Sequence, residues 1–444
     1  MLKVVKFGGS SLADARQFEK VRRIVQKDKS RRVVVVSAPG KRSREDHKIT
    51  DLLYLCAAHI EYGVSCEKIF GMIRQRYEEI RKNLGLATDI SRDFDQIWVH
   101  MQHGMAREEL ASRGEYLSAR LMADYLGYDF LDAAMWLRFK FDGTVDKDAS
   151  YQALRRAAEG RSVVIPGFYG AMPDGRIRTL TRGGSDITGA LAAAALDADI
   201  YENWTDVSGI LMADPQIVDQ PAPIRYITYN ELRELSYIGA KVLHEGTVFP
   251  VREKNIPLNI RNTNEPDHPG TMIMENIPDD KEDGSLITGI AGKKGYCVLT
   301  VAKTGMSSEA GVLLHLLEIV NSHGVNVEYV PSGIDIVSLV MAEDKVQSCL
   351  YAMLGEIQKT LQPDSMKVTE HMAIVAAVGR RMASRPGVSG KIFAALGENG
   401  VNIRMITQGP EELNIIVGVE EKDFSQAIRV LYNTFMKENR HETV

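Results

Sequence analysis

The C-terminal third of this chain is written twice. Met306, Gly311, Gly324 and Asn326 recur 76 positions later as Met382, Gly387, Gly400 and Asn402. The surrounding text repeats too: Gly324-Val325-Asn326-Val327 returns as Gly400-Val401-Asn402-Ile403. After Gly409 the register slips by one, so Ala342-Glu343-Asp344-Lys345 faces Val419-Glu420-Glu421-Lys422. The unit is too long for a solenoid repeat and reads as a duplicated small domain. Each copy reads strand, helix, strand, strand, helix. In the first, 298–301 is a strand and the next helix carries Val312, Leu313, Leu316 and Leu317. Residues 325–330 and 336–341 form a hairpin, a helix lies near 344–358, and a short strand near 366–368 closes the copy. The second copy starts at Ile374 and ends soon after a helix with Ile428, Leu431 and Phe435, so it lacks a closing strand. The unassigned string Ser285-Leu286-Ile287-Thr288-Gly289-Ile290 is predicted to supply it, which nests the first copy inside the second. The alternative is that this string only ends a linker.

Upstream, apolar strands alternate with helical patterns as far as about residue 265. Val33-Val34-Val35-Val36 ends at Ser37-Ala38-Pro39-Gly40, and Val163-Val164-Ile165 ends at Pro166-Gly167. Fully apolar runs of this kind suit a sheet covered by helices on both faces. Residues 262–285 are rich in Asn, Pro, Asp and Gly and carry the acidic string Asp279-Asp280-Lys281-Glu282-Asp283, which reads as a solvated linker. A chain of 444 residues suggests two to four domains. Its net charge of −5 offers no bulk attraction to nucleic acid or to a membrane surface. No apolar run approaches the roughly 18 residues that span a bilayer, and the N-terminus enters a strand directly, so no signal peptide is expected. Cys56, Cys66, Cys297 and Cys349 are scattered, which fits reduced thiols and a cytoplasmic location. His100 and His103 lie three apart, but no obvious carboxylate or cysteine joins them, and no metal site is expected.

Two glycine pairs carry the chemistry. Lys6-Phe7-Gly8-Gly9-Ser10-Ser11 follows an apolar run and opens a helix whose Phe18, Val21, Ile24 and Val25 share one face. Glycines let the backbone approach a bulky anion, and Lys6 adds a point charge of the right sign. Phosphate binding and a plain tight turn both fit. The second pair, Thr181-Arg182-Gly183-Gly184-Ser185-Asp186, precedes an alanine-rich helix from Ile187 to Leu196. Ser185 or Asp186 can cap that helix, and Arg182 can grip a carboxylate or phosphate with two hydrogen bonds. A third loop, Trp204-Thr205-Asp206-Val207-Ser208-Gly209-Ile210, presents a hydroxyl and a carboxylate that suit a ribose or base, or an ordinary turn. Neither the Walker string nor a strand-linked G-x-G-x-x-G occurs.

Together with Gly114-Glu115-Tyr116-Leu117-Ser118 and Gly239-Ala240-Lys241-Val242-Leu243-His244, these strings, in this order, resemble the aspartokinases of the amino-acid kinase family. The duplicated tail, with Pro331-Ser332-Gly333-Ile334-Asp335, resembles their paired ACT domains. The resemblance spans nearly the whole chain. It implies an α/β fold: an αβα-sandwich kinase domain over 1–280, then two ferredoxin-like ACT domains, 296–370 nested within 285–292 plus 372–444. It implies transfer of the γ-phosphoryl of ATP, with Mg²⁺ arriving on the nucleotide, to the side-chain carboxylate of L-aspartate. The product, 4-phospho-L-aspartate, leads to lysine, threonine and methionine.

By the same resemblance Lys6 bridges the phosphates and the transferring group, with Gly8, Gly9 and Ser10 around the nucleotide. Thr50 contacts the substrate, Glu115 receives its amino group, and Arg182 holds its α-carboxylate with Ser185 and Asp186 beside it. Thr205, Asp206 and Lys241 meet the nucleotide. Met306, Glu309, Asn326, Val327 and Glu328 are the effector candidates, with lysine, alone or with threonine, as inhibitor. ACT pairing implies a homodimer or tetramer. A carboxylate nucleophile with a pKa of roughly 3.9 is already ionised, so no general base is needed; positioning and charge screening are. The chain departs from the family pattern at Ser10, Thr181, Leu211 and Gln216, and the last two bear on base and ribose contacts. Two other readings stand beside this one: a kinase for glutamate, acetylglutamate or a nucleotide, and a non-catalytic amino-acid sensor.

Overall fold

The structure is a computed structural model that describes residues 1–181, 183–240, 245–282, 284–409 and 411–439. The chain forms two compact units. The first gathers Met1–Ile210, Pro223–Tyr229 and Val242–Lys281; the second gathers Leu211–Ala222, Asn230–Lys241 and the chain from Glu282 onward.

The first unit is built on an eight-stranded sheet. Its strands are β1 (Lys3–Phe7), β2 (Arg31–Val36), β3 (Asp129–Phe130), β4 (Val163–Pro166), β5 (Ile200–Thr205), β6 (Tyr226–Thr228), β7 (Leu258–Asn262) and β8 (Thr271–Met274), in the order β6-β8-β7-β5-β1-β2-β4-β3. All neighbours are parallel except β7 and β8. Strand side chains alternate between faces. Val5, Phe7, Val34 and Val36 join one core with helices α1 (Ala15–Lys27), α2 (Ile49–Glu61), α3 (Glu67–Leu84), α4 (Ile90–Gln102) and α5 (Arg107–Leu126). On the other face α7 (Gly184–Ala195) packs against β1, β2 and β5, flanked by α6 (Lys147–Ala158) and α9 (Glu245–Glu253). Five alanines let α7 lie close to the sheet. The expected layered sandwich is therefore present.

Several local expectations are corrected. The Gly8-Gly9 turn does not open α1. It leads into a one-turn 3₁₀ segment, Gly9–Leu12, and α1 begins afterwards with its own cap, Asp14, whose carboxylate accepts from the Gln17 amide at 3.0 Å. Neither Ser185 nor Asp186 caps α7. Gly183 does, at φ 81°, a left-handed conformation open to glycine, and this places Ser185 and Asp186 in the first turn. The stretch read as a linker contains strand β8, because Thr271 and Ile273 alternate inward with Met272 and Met274 and pair between β6 and β7.

The second unit is a six-stranded antiparallel sheet. Its strands are β9 (Gly289–Ala302), β10 (Val327–Tyr329), β11 (Ile336–Ala342), β12 (Ser365–Val378), β13 (Met405–Gln408) and β14 (Asn414–Glu420), ordered β10-β11-β9-β12-β14-β13. Two 14-residue strands each serve both copies. Tyr296 to Ala302 of β9 pair with β11, whereas Gly289 to Lys294 pair with Ala373 to Val378. The strand that completes the second copy therefore does come from upstream of the first, but it starts at Gly289 rather than Ser285. The helix expected near 344–358 is two pieces, Glu343–Val346 and Leu350–Leu361. Helix α8 (Tyr229–Tyr237) contributes its residues from Asn230 onward to this unit.

Candidate active site

Register builds the site before any side chain is considered. β1 lies between β2 and β5, with Lys6 opposite Asn203 and Phe7 opposite Trp204. Alternation turns Lys6 to the α7 face while Phe7 goes into the opposite core. Lys6 is only 6% exposed, and its Nζ lies 2.5 Å from Asp186 Oδ1. Asn203 accepts weakly from the same ammonium at 3.4 Å and donates to Asp186 Oδ1 at 2.9 Å. The two glycine-pair strings, nearly 180 residues apart, thus meet through one ion pair.

A cleft of about 520 Å³ opens over this pair. Of the site candidates, Lys6, Gly9, Ser10, Thr50, Glu115, Ser185, Asp186 and Asp206 line it. Gly8 and Thr205 adjoin it: the Gly8 amide donates to Trp204 O at 3.0 Å, and Thr205 donates to Asp206 at 3.1 Å. Arg182 and Lys241 lie outside the described residues. Thr50 sits in the first turn of α2, capped by Lys48, so its hydroxyl is not spent as a cap. Residues of two helix starts, those of α2 and α7, line the cleft and bring the positive ends of the helix dipoles to it.

Glu115 is the most unusual group. It lies mid-helix in α5, is 4% exposed, and its Oε2 has no hydrogen-bond partner. Burial pushes its carboxyl up to about 8, against a backbone hydrogen bond from Ala38 that favours the ionised form. Glu115 thus places a buried carboxyl with one unsatisfied oxygen at the wall of the cleft.

The amino acid kinase family profile matches residues 1–262, and an ACT domain profile matches 375–435. Aspartokinase 3 of Bacillus subtilis is 35% identical over 450 residues, covering 98% of each chain. The chain belongs to the aspartokinases of the amino acid kinase family. The crystal structure of Clostridium acetobutylicum aspartate kinase superposes with a TM-score of 0.91 at 46% identity, covering 98% of this chain and 99% of that one. Escherichia coli aspartokinase III, solved with aspartate and ADP in an R-state, gives a TM-score of 0.74 at 27% identity over 98% of this chain and 100% of that one. The same enzyme with lysine and aspartate in a T-state gives 0.75.

Some aspartokinase cleft residues were not singled out from sequence. Ser37, Ala38, Gly40, Lys41 and Lys48, from the connection between β2 and α2, line the cleft, as does Phe168. Phe168 holds a positive φ of 80°, a costly conformation for a bulky residue that often accompanies functional sites. The available signal was the apolar β2 run ending in a glycine turn beside the first one. Among the described residues no three His, Cys, Asp or Glu side chains gather as a metal site. With Asp186 committed to Lys6 and Asn203, the donor set does not fit a resident divalent cation.

In the second unit the effector candidates divide. Met306 and Val327 pack partly against the core of the first copy. Glu309 pairs with Lys303 at 2.5 Å, and Asn326 is exposed. Glu328 accepts from the Tyr237 hydroxyl of α8 at 2.5 Å. The matching loop of the second copy is differently committed. Arg380 donates its amide to Glu231 Oε1 at 3.0 Å and its Nε to Glu282 at 3.1 Å, and Arg381 pairs with Glu282 at 2.8 Å.

Proposed function

We infer that the protein is an ATP:L-aspartate 4-phosphotransferase, converting L-aspartate to 4-phospho-L-aspartate. The observation that carries this is the Lys6–Asp186 contact at 2.5 Å in a cleft whose wall holds Glu115. An ammonium for the phosphates and a buried carboxylate for a substrate amine stand in one pocket, as a phosphorylated amino acid requires. The relative solved with aspartate and ADP supports the choice of substrates.

The residues divide the task. Lys6 screens the phosphoryl oxygens during transfer, and Asp186 and Asn203 hold its Nζ in place. Amides of the Gly8-Gly9-Ser10 turn meet phosphate oxygens. Glu115 receives the ammonium of aspartate, Thr50 and Ser185 contact its carboxylates, and Arg182 grips the α-carboxylate. Thr205, Asp206 and Lys241 hold the nucleotide. The β-carboxylate attacks without a base, so the rate rests on in-line placement and charge screening. Mg²⁺ enters with ATP as part of the nucleotide substrate.

The catalytic work is assigned to residues 1–280, and control to 296–370 with 285–292 plus 372–444. Lysine, alone or with threonine, binds at Met306, Glu309, Asn326, Val327 and Glu328; the lysine-bound T-state relative supports lysine as the effector. Exposed Leu314, Ile334 and Tyr351 support self-association through the ACT domains, as a dimer or tetramer. A cytoplasmic location agrees with four unpaired cysteines and with the lack, among the described residues, of any helix long and apolar enough to cross a membrane.

Coupled ADP release that depends on L-aspartate tests the assignment. Lys6→Met is expected to lower kcat by about 10³-fold or more with an unchanged melting temperature. Aspartate-independent turnover, or full activity in that variant, would refute it.

A further inference from the structure

Among the described residues the cleft holds little uncommitted positive charge; Arg182 and Lys241, outside them, are assigned above to the α-carboxylate and the nucleotide. Its reactants are a triphosphate and a dicarboxylic amino acid. Among the described lining residues Lys6 is already neutralised by Asp186, while Glu115 and Asp206 add carboxylates. The remaining described lysines on the wall are Lys41 and Lys48, both exposed and both on the connection from β2 to α2.

That connection is clasped at its base. The Gly40 amide donates to Gly9 O at 2.7 Å, and the Ile49 amide to Pro39 O at 3.1 Å. A Cβ on Gly40 would stand 2.7 Å from the Gly9 carbonyl carbon, so only glycine brings the two turns this close. Arg76 of α3 is 5% exposed and binds both segments. Its Nη1 reaches Gly40 O at 3.2 Å and Ala13 O at 3.4 Å, and its Nη2 lies 2.7 Å from both oxygens of Asp46. Arg42 closes the loop on Asp46 at 3.0 Å and reaches Glu79 at 3.2 Å. The crown of the loop is thereby tied to α3, and its two ends carry the lysines at the cleft. Burial would raise the Asp46 carboxyl, but the Arg42 and backbone hydrogen bonds and the Arg76 charge hold it well below the usual carboxylate range.

We propose that Lys41 and Lys48 are further substrate-facing cations for phosphoryl transfer, and that Arg76 and Asp46 are positioning residues that hold their loop against the Gly9 turn. The proposal rests on the phosphotransferase reading and adds to it a second source of charge on the phosphate oxygens, from the loop after β2 that lines the same cleft as Lys6.

Steady-state kinetics on the full chain tests it. Lys41→Met and Lys48→Met should each lower kcat/KM for ATP roughly tenfold, and the double variant more, without a shift in melting temperature. Lys48→Arg should restore most of the loss, and the double variant should show a shallower fall of kcat/KM with added KCl than the wild type. Arg76→Lys keeps the charge but loses the two-oxygen grip on Asp46. It should lower kcat of the folded enzyme severalfold, a change that loss of stability alone does not produce. A double lysine variant within twofold of wild type in kcat and both KM values overturns the proposal. Wild type without aspartate-dependent turnover refutes the phosphotransferase reading itself, and the proposal falls with it.

Discussion

Two glutamates sunk to the same depth do opposite things. Glu115 in the first unit is 4% exposed, and Glu231 in the second is fully buried. Glu231 accepts from the Thr288 hydroxyl, the Arg380 amide and the Arg380 guanidinium. Glu115 has one oxygen with no partner. Burying a charge is costly unless it is paired and hydrogen-bonded. The satisfied carboxylate is a clasp: it holds α8 to the second ACT copy. The unsatisfied one stands at the wall of the cleft, and under the proposed function its cost is recovered when the substrate ammonium binds. Burial alone therefore does not separate structure from function; the completeness of the partner set does.

The largest effect is expected where the partner set is complete. Glu231→Ala removes the acceptor of the Arg380 amide and Nη1 and of the Thr288 hydroxyl, leaving Arg380 only its contact with Glu282, and should cost about 3–5 kcal/mol in the second unit. Hydrogen exchange of β9 and β12 reads this directly, since Trp98, Trp136 and Trp204 all lie in the first unit. Unchanged protection would break the comparison from that side.

Glu115→Gln should act on binding instead. Loss of a charge-assisted contact to the substrate ammonium is expected to raise KM for aspartate about 10²-fold, with KM for ATP nearly unchanged. Its melting temperature should hold near neutral pH, where the carboxyl is already protonated, and rise above pH 8, where the neutral amide avoids a buried charge. A fall in stability without a change in KM would make Glu115 a structural residue like Glu231.

The smallest effect is the pH dependence, and it sharpens the contrast. The Glu115 carboxyl titrates at about 8 when folded, against an ordinary value of 4.5. The folded state therefore keeps a proton that the unfolded chain releases. Its contribution to stability is present below 4.5 and is lost as the pH rises toward 8. Binding runs the other way, since the ammonium needs the carboxylate. KM for aspartate should fall roughly eightfold between pH 7 and 8.5, and Glu115→Gln should abolish that slope. A flat wild-type profile would argue that the group is already ionised in the free enzyme.

Much of this was legible in the chain, for local reasons. A glycine pair after an apolar strand is written in consecutive residues, and so is a helix face such as Phe18, Val21, Ile24 and Val25, all buried. The duplication was legible because identical offsets survive in sequence. The helix starts were less so: Gly183, in a left-handed conformation, rather than Ser185 caps α7. The β2–α2 loop was missed as a site because its lysines look like solvated surface charge until Arg76, 30 positions past Asp46, is seen to fasten it. Strand β8 was hidden in a stretch of Asn, Pro and Asp, because four residues acquire strand character only between two partners.

The sequence by itself determined the alternating strand–helix pattern, the two glycine-pair turns, the twofold repeat and the family, because each is carried by nearest neighbours or by a constant offset. The tertiary structure decided which groups share a pocket. Lys6 meets Asp186 only because β1 pairs with β5 while α7 lies across both, and α8 from Asn230 onward belongs to the second unit, where Glu231 meets Arg380. Contacts between residues far apart along the chain are paid for in chain entropy and fixed by packing, so no stretch of sequence contains them.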